Sequence, residues 1–173
     1  MAKKAKSRQG DEKQLDELFH ETLKDIYYAE KKILTALPKM AKAAHSEELR
    51  AAFEKHAEET EGQIERLDQV FSMIDETPRG KTCEAINGLL DEGKEIMSDF
   101  KNSPAHDAGL LSVAQAVEHY EISRYGTLRA WAEKLGLADA ASLLDETLAE
   151  EKKTDEDLTQ LAKTAINEMA EAA

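Results

Sequence analysis

The 173-residue chain has one cysteine, Cys83. A single cysteine closes no intramolecular disulfide and cannot supply the several thiolates of a cysteine-based zinc or iron–sulfur site. Proline and glycine are also scarce, at 3 and 8 residues. Ala, Glu, Leu and Lys dominate instead, which predicts an all-helical chain. No apolar run reaches the roughly 20 residues of a membrane-spanning helix, so no membrane partner is expected. Positive charge is in deficit. Lys and Arg total 23 against 36 Asp and Glu, for a formal net charge of −13. Such a chain does not hold a nucleic-acid backbone by counterion release; basic partners or bound cations suit it better. The start, Met1-Ala-Lys-Lys-Ala-Lys, has no apolar stretch of the signal-peptide kind. The expectation is a cytoplasmic protein, with residues 1–11 a disordered basic arm and residues 12–173 one helical domain.

What is present is helical periodicity cut by a few breakers. A first helix is expected from about Glu12 to Ala44, with Leu15, Phe19, Leu23, Ile26, Ile33, Leu34 and Leu37 at helical spacing. Pro38 lies inside it and should kink it. Ser46 is an N-cap for a second helix from Glu47 to about Asp75, whose stripe includes Leu49, Phe53, His56, Ile64, Leu67 and Phe71. Thr77-Pro78-Arg79-Gly80 reads as a loop. A shorter helix follows, near Cys83 to Phe100. Ser103 as N-cap and Pro104 at the first helical position then open a third long helix, which ends near Leu135. Gly136 as C-cap and Asp139 as N-cap separate it from a fourth, which runs to about Glu168. Two helical hairpins joined by a long crossover that carries a short helix describe an all-α, ferritin-like four-helix bundle; an up-down-up-down bundle or a coiled-coil dimer is the alternative, and the short middle helix argues for the crossover.

The two hairpins are weakly repeated. Residues 26–67 slide onto 117–158 without a gap and give six identities, among them Glu30 on Glu121 and Glu59 on Glu150. In an acidic chain a single glutamate belongs on a solvated face. Glu30 and Glu121, however, each interrupt an apolar stripe. All four glutamates lie equally far from their turns, about 22 Å along the helix axis, and so should meet in one layer of the core. Four bare carboxylates cannot share a dry layer, because burial and mutual repulsion oppose it. Protonation of some, or cations among them, would resolve this. His56 lies one turn before Glu59, and Glu118 one turn before Glu121. The candidate ligand set is Glu30, His56, Glu59, Glu118, Glu121 and Glu150. Oxygen-rich with one nitrogen, it suits two divalent ions of iron or manganese better than structural zinc. Tyr27, Tyr120 and Tyr125 fall within a turn of this layer and are expected either to support the ligands or to fill core. His45 suits the C-terminal end of the first helix, His20 and His106 read as surface residues, and Cys83 as an ordinary thiol.

The segments Ile26–Lys32, Leu37–Ala41, His56–Leu67, Cys83–Leu90, Val117–Ile122 and Tyr125–Arg129 resemble the YciE/YciF family of bacterial ferritin-like proteins, in order and spacing, over residues 13–166. That resemblance implies a ferritin-like bundle, a homodimer, an association with bacterial stress responses and a dinuclear metal site. It implies no specific reaction. The usual ferritin-like signature places Glu-x-x-His on the second and fourth helices. Here Glu59 is followed at the third residue by Gly62 and Glu150 by Lys153, whereas His56 precedes its glutamate. The Glu118/Glu121 pair matches the Glu-x-x-Glu of rubrerythrin-like members. The reading that follows is a stress protein handling metal or peroxide, with an oxidoreductase activity left open; the alternative is a metal-free helical dimer acting by interaction.

Overall fold

The computed structural model describes residues 13–171, so the basic arm of residues 1–11 lies outside the described residues. Four long helices carry the fold: α1 (Leu15–Ala43), α2 (Glu47–Met73), α4 (His106–Lys134) and α5 (Ala138–Leu161). The short α3 (Glu84–Asp99) lies in the crossover between α2 and α4. Among the described residues there is no strand, and no helix is long and apolar enough to cross a membrane.

Each hairpin closes with the chemistry its turn requires. At the first, the Ser46 hydroxyl accepts from the Leu49 N–H and satisfies one open donor of α2. At the second, Gly136 takes φ +75°, a left-handed conformation that costs glycine little. α1 continues through Pro38 as one helix. Three expected caps and ends differ. α4 starts at His106 rather than at Pro104, because Ser103 instead closes a turn: its hydroxyl accepts from Ala105 N–H and its carbonyl from His106 N–H. α5 starts two residues early, with Leu137 at the N-cap and Asp139 inside the first turn, where its charge still meets the positive helix end. The last helix is not continuous to Glu168: a π-helical turn over Ala162–Ile166 separates α5 from α6 (Asn167–Glu171).

α1 packs on α2 and α4, and α5 packs on α4 and α2, which closes a four-membered ring around the core. α3 covers the α1–α4 side. A Cβ on Gly109 of α4 would lie only 2.7 Å from Ile96 of α3, so glycine lets these helices approach. The core is one cluster that includes Phe19, Leu23, Ile26, Phe53, Phe71 and Leu128. Each such side chain contributes about 1.5–3 kcal/mol by leaving water. The backbone N–H groups of His45 and Ser46, in the α1–α2 turn, donate to Asp107 at the start of α4. The crossover therefore returns the chain to that end of the bundle. The α4–α5 turn lies at the other end, where Leu135 and Leu137 share a surface with Phe19 and His20. The midpoints of all four helices then share one level.

Candidate metal centre

The apolar stripes of the four helices are broken at that level by polar residues. Glu30 on α1, His56 on α2, Glu118 and Glu121 on α4 and Glu151 on α5 are all buried. One ligand atom from each of His56, Glu118, Glu121 and Glu151 lies within 4.8 Å of the others. His56 Nδ1 is 3.4 Å from Glu118 Oε1 but is not aligned for a hydrogen bond. Glu30 adjoins this group, its carboxyl interacting with that of Glu121. On its far side Glu30 accepts a hydrogen bond from the hydroxyl of Tyr125, itself fully buried.

Of the six ligands expected from the sequence, four lie in this inner layer: Glu30, His56, Glu118 and Glu121. Glu59 and Glu150 do not. They stand at the partly exposed α2–α5 seam, where Glu59 pairs with Lys55 at 3.0 Å and accepts from Thr154. Glu150 accepts from Arg66 Nη1 at 2.9 Å and from Gln63 at 3.2 Å. The buried position on α5 is Glu151, which the sequence reading missed. The buried residues of α5 run Leu144, Thr147, Leu148, Glu151, Thr154, Leu158, and that phase passes through 151. On α2 the same phase passes through His56, Thr60 and Gln63 and leaves Glu59 at the rim. The repeat paired identical letters one residue away from the facing positions, and one residue is about 100° around a helix.

The tyrosines divide likewise. Tyr125 touches the layer. Tyr27 is buried edge-on against Phe71 with Lys31 over its ring. Tyr120 turns towards α3, its hydroxyl 3.1 Å from Cys83 Sγ. His106, expected at the surface, is buried beside Asp107.

Burial pushes the carboxyls of Glu30, Glu118 and Glu121 well above their usual range, and the neighbouring Glu151 charge adds to it. Burial likewise lifts Glu151 to about 7. Burial drives His56 the other way, down to about 4, so its imidazole is neutral near pH 7 and a ready metal ligand. No lysine or arginine hydrogen-bonds or ion-pairs with these buried groups, among the described residues. Eight of the cluster's buried oxygen and nitrogen atoms make no hydrogen bond: Glu30 Oε2, Glu118 Oε2, both oxygens of Glu121 and of Glu151, and both ring nitrogens of His56. Unmet buried polar atoms cost about 1–3 kcal/mol each. Divalent cations would satisfy both the charge and the lone pairs, so this donor set fits a metal centre. An apolar cavity of about 20 Å³, lined in part by Ile33, Leu37, Phe53 and Val117, reaches His56 and Glu118. It is about large enough for one small molecule.

Comparison with known proteins places the chain in a family. A family profile described as a domain of unknown function, DUF892, matches residues 14–171. Protein YciF of Escherichia coli K12 is 46% identical over 160 residues, which cover 92% of this chain and 96% of that one. The crystal structure of the E. coli stress protein YciF aligns with a TM-score of 0.85 at 45% identity, over 90% of this chain and 99% of that one. YcfI of Rhodopseudomonas palustris, whose name proposes a structural role, aligns with a TM-score of 0.83 at 45% identity, over 90% and 98% of the two chains. A Xanthomonas campestris protein at 24% identity and a TM-score of 0.67, over 89% and 94%, shares the fold.

Proposed function

The chain belongs to the DUF892 family, and from that premise we propose that it is a cytoplasmic, homodimeric stress protein that binds two divalent ions, iron or manganese, in its core glutamate layer. The observation that carries this reading is the set of eight buried, unpartnered oxygen and nitrogen atoms on Glu30, His56, Glu118, Glu121 and Glu151. Its similarity to a relative named as a stress protein supports the stress assignment.

The residues divide the work. Glu118, Glu121 and Glu151 would hold the ions through carboxylate oxygens and His56 through a ring nitrogen, with Glu30 completing the set from α1. Carboxylate oxygens with a single imidazole favour iron or manganese. Tyr125 holds Glu30 in one orientation through its hydrogen bond, as outer groups do for ligating carboxylates. Glu59 and Glu150, at the partly exposed seam, are neutralised by Lys55 and Arg66 and stay outside the ligand set. A bound iron or manganese ion would supply redox and Lewis-acid chemistry, and a small cavity lined mainly by apolar side chains lies beside His56. Metal or peroxide handling under stress fits these parts.

Anaerobic loading with Fe(II) or Mn(II), followed by desalting and metal analysis, tests the reading. Retention of about two ions per chain is expected for a dinuclear carboxylate site. A folded protein that retains no ion would overturn it.

A further inference from the structure

At the α1–α2 turn end of the bundle is a second polar feature, separate from the glutamate layer. It is a concave surface of about 680 Å³ lined in part by Lys42, His45, Arg50, Lys101, Asn102 and His106. Acids make up 36 of the 173 residues, yet none lines this surface. We propose that it is a binding site for a phosphate group, either inorganic or carried by a small organic ester.

The cations are available. Lys42, Arg50 and Lys101 have no carboxylate partner among the described residues. Arg50 donates to the carbonyls of Ala41 and Ala44, which pins its guanidinium at the end of α1 and leaves other N–H groups uncommitted. Asn102 adds an amide. This combination of a fixed guanidinium, flexible ammonium groups and neutral donors is how phosphate oxygens are commonly met.

The second observation is His106, whose side chain is 1% exposed and lines the same surface. Its Nδ1 donates to Asp107 Oδ1 at 3.0 Å, which leaves Nε2 an acceptor suited to the P–OH of a hydrogen phosphate. His45 stacks on it, with ring centroids 4.4 Å apart and planes at 24°. His106 is also the first residue of the 29-residue α4, whose N-terminal end is partially positive.

His45, His106 and Asp107 also place ligand atoms within reach of one another, as a cation site would. Two facts favour an anion instead. Asp107 already accepts through both oxygens from the N–H groups of His45 and Ser46 and from His106, which leaves it little lone-pair capacity for a metal. Lys42, Arg50 and Lys101 on the same surface would repel a divalent cation. The nearby Glu48 carboxylate is engaged by the Ser46 hydroxyl and does not line the surface. Asp107 therefore orients His106, and the surface beyond it is left to a negatively charged ligand.

The test is a titration of the ¹⁵N-labelled full chain with inorganic phosphate and with pyrophosphate, at ionic strength held constant with sodium chloride. Saturable amide shifts are expected at residues 42–46 and 101–107 with both anions and not with chloride. Tighter binding of pyrophosphate identifies a diphosphate or ester-bearing ligand, and equal binding identifies inorganic phosphate. The Lys42→Gln/Lys101→Gln variant, which removes two exposed side chains and leaves the Arg50 cap intact, should bind about tenfold more weakly or worse. Its melting temperature and metal content should not change. Absence of saturable shifts with either anion, or equal binding by the variant, would overturn the proposal.

Discussion

Tyr125 on α4 donates a hydrogen bond to Glu30 on α1, and neither side chain reaches solvent. The bond joins a neutral donor to a carboxyl that burial and the Glu151 charge oppose as an anion. It also satisfies one Glu30 oxygen, while the other has no partner.

Tyr125→Phe removes this donor and little volume. The metal-free variant should lose about 1–3 kcal/mol, the cost of a newly unmet buried acceptor. Urea denaturation in the presence of a chelator measures it. Metal affinity should also fall, because Glu30 is no longer held.

Glu30→Leu combined with Glu121→Leu should raise the stability of the metal-free bundle by about 1–4 kcal/mol, since it replaces buried carboxyls with apolar volume. The same variant should lose the metal-dependent rise in melting temperature that binding to the native state gives the parent. Thermal scans with chelator and with Mn(II) show both effects.

Glu151→Gln should weaken Mn(II) binding by at least about tenfold more than Glu150→Gln. The first removes a ligand from the inner layer, and the second a partner of Arg66 at the seam. The Arg66–Glu150 pair is partly exposed, so its loss should cost no more than about 1 kcal/mol of stability. Equilibrium Mn(II) titration of the two variants separates the roles.

Stability should depend on pH in opposite senses with and without metal. Folding raises the carboxyl values of Glu30, Glu118 and Glu121 above 4.5, and that of Glu151 to about 7. Stability from such a group is intact below the unfolded value and is lost as pH rises through the folded one. His56 acts only at lower pH, since its folded value of about 4 lies below 6.5 and it costs stability as pH falls from 6.5. The metal-free protein should therefore weaken as pH rises from 6.5 past 7. The loaded protein should strengthen over the same range, because metal binding requires deprotonated ligands. Urea midpoints across the range, with chelator and with Mn(II), give both slopes.

The hairpins were legible because their signals are local: Ser46 and Gly136 punctuate long apolar stripes, and the structure uses both as the turns require. Glu30 and Glu121 were legible because each interrupts such a stripe. Glu151 was not, because an alignment of identical letters ignores helical phase, and Glu59 and Glu150 matched as letters while Thr60 and Glu151 face inward. The starts of α4 and α5 were misplaced where several capping residues compete within a few positions. The direction of Tyr120 depends on Cys83, the N-cap of α3, a contact across 37 residues that no local pattern carries.

The inner glutamate layer is proposed to hold metal. Anomalous diffraction at the manganese or iron edge, from crystals of anaerobically loaded protein, tests it most directly. Two peaks are expected, both within bonding distance of the inner layer: His56 Nδ1 or Nε2 and carboxylate oxygens of Glu118, Glu121 and Glu151, with Glu30 completing one of them. Loaded crystals with no peak in that layer, or with peaks only at the Glu59–Glu150 seam, would contradict it.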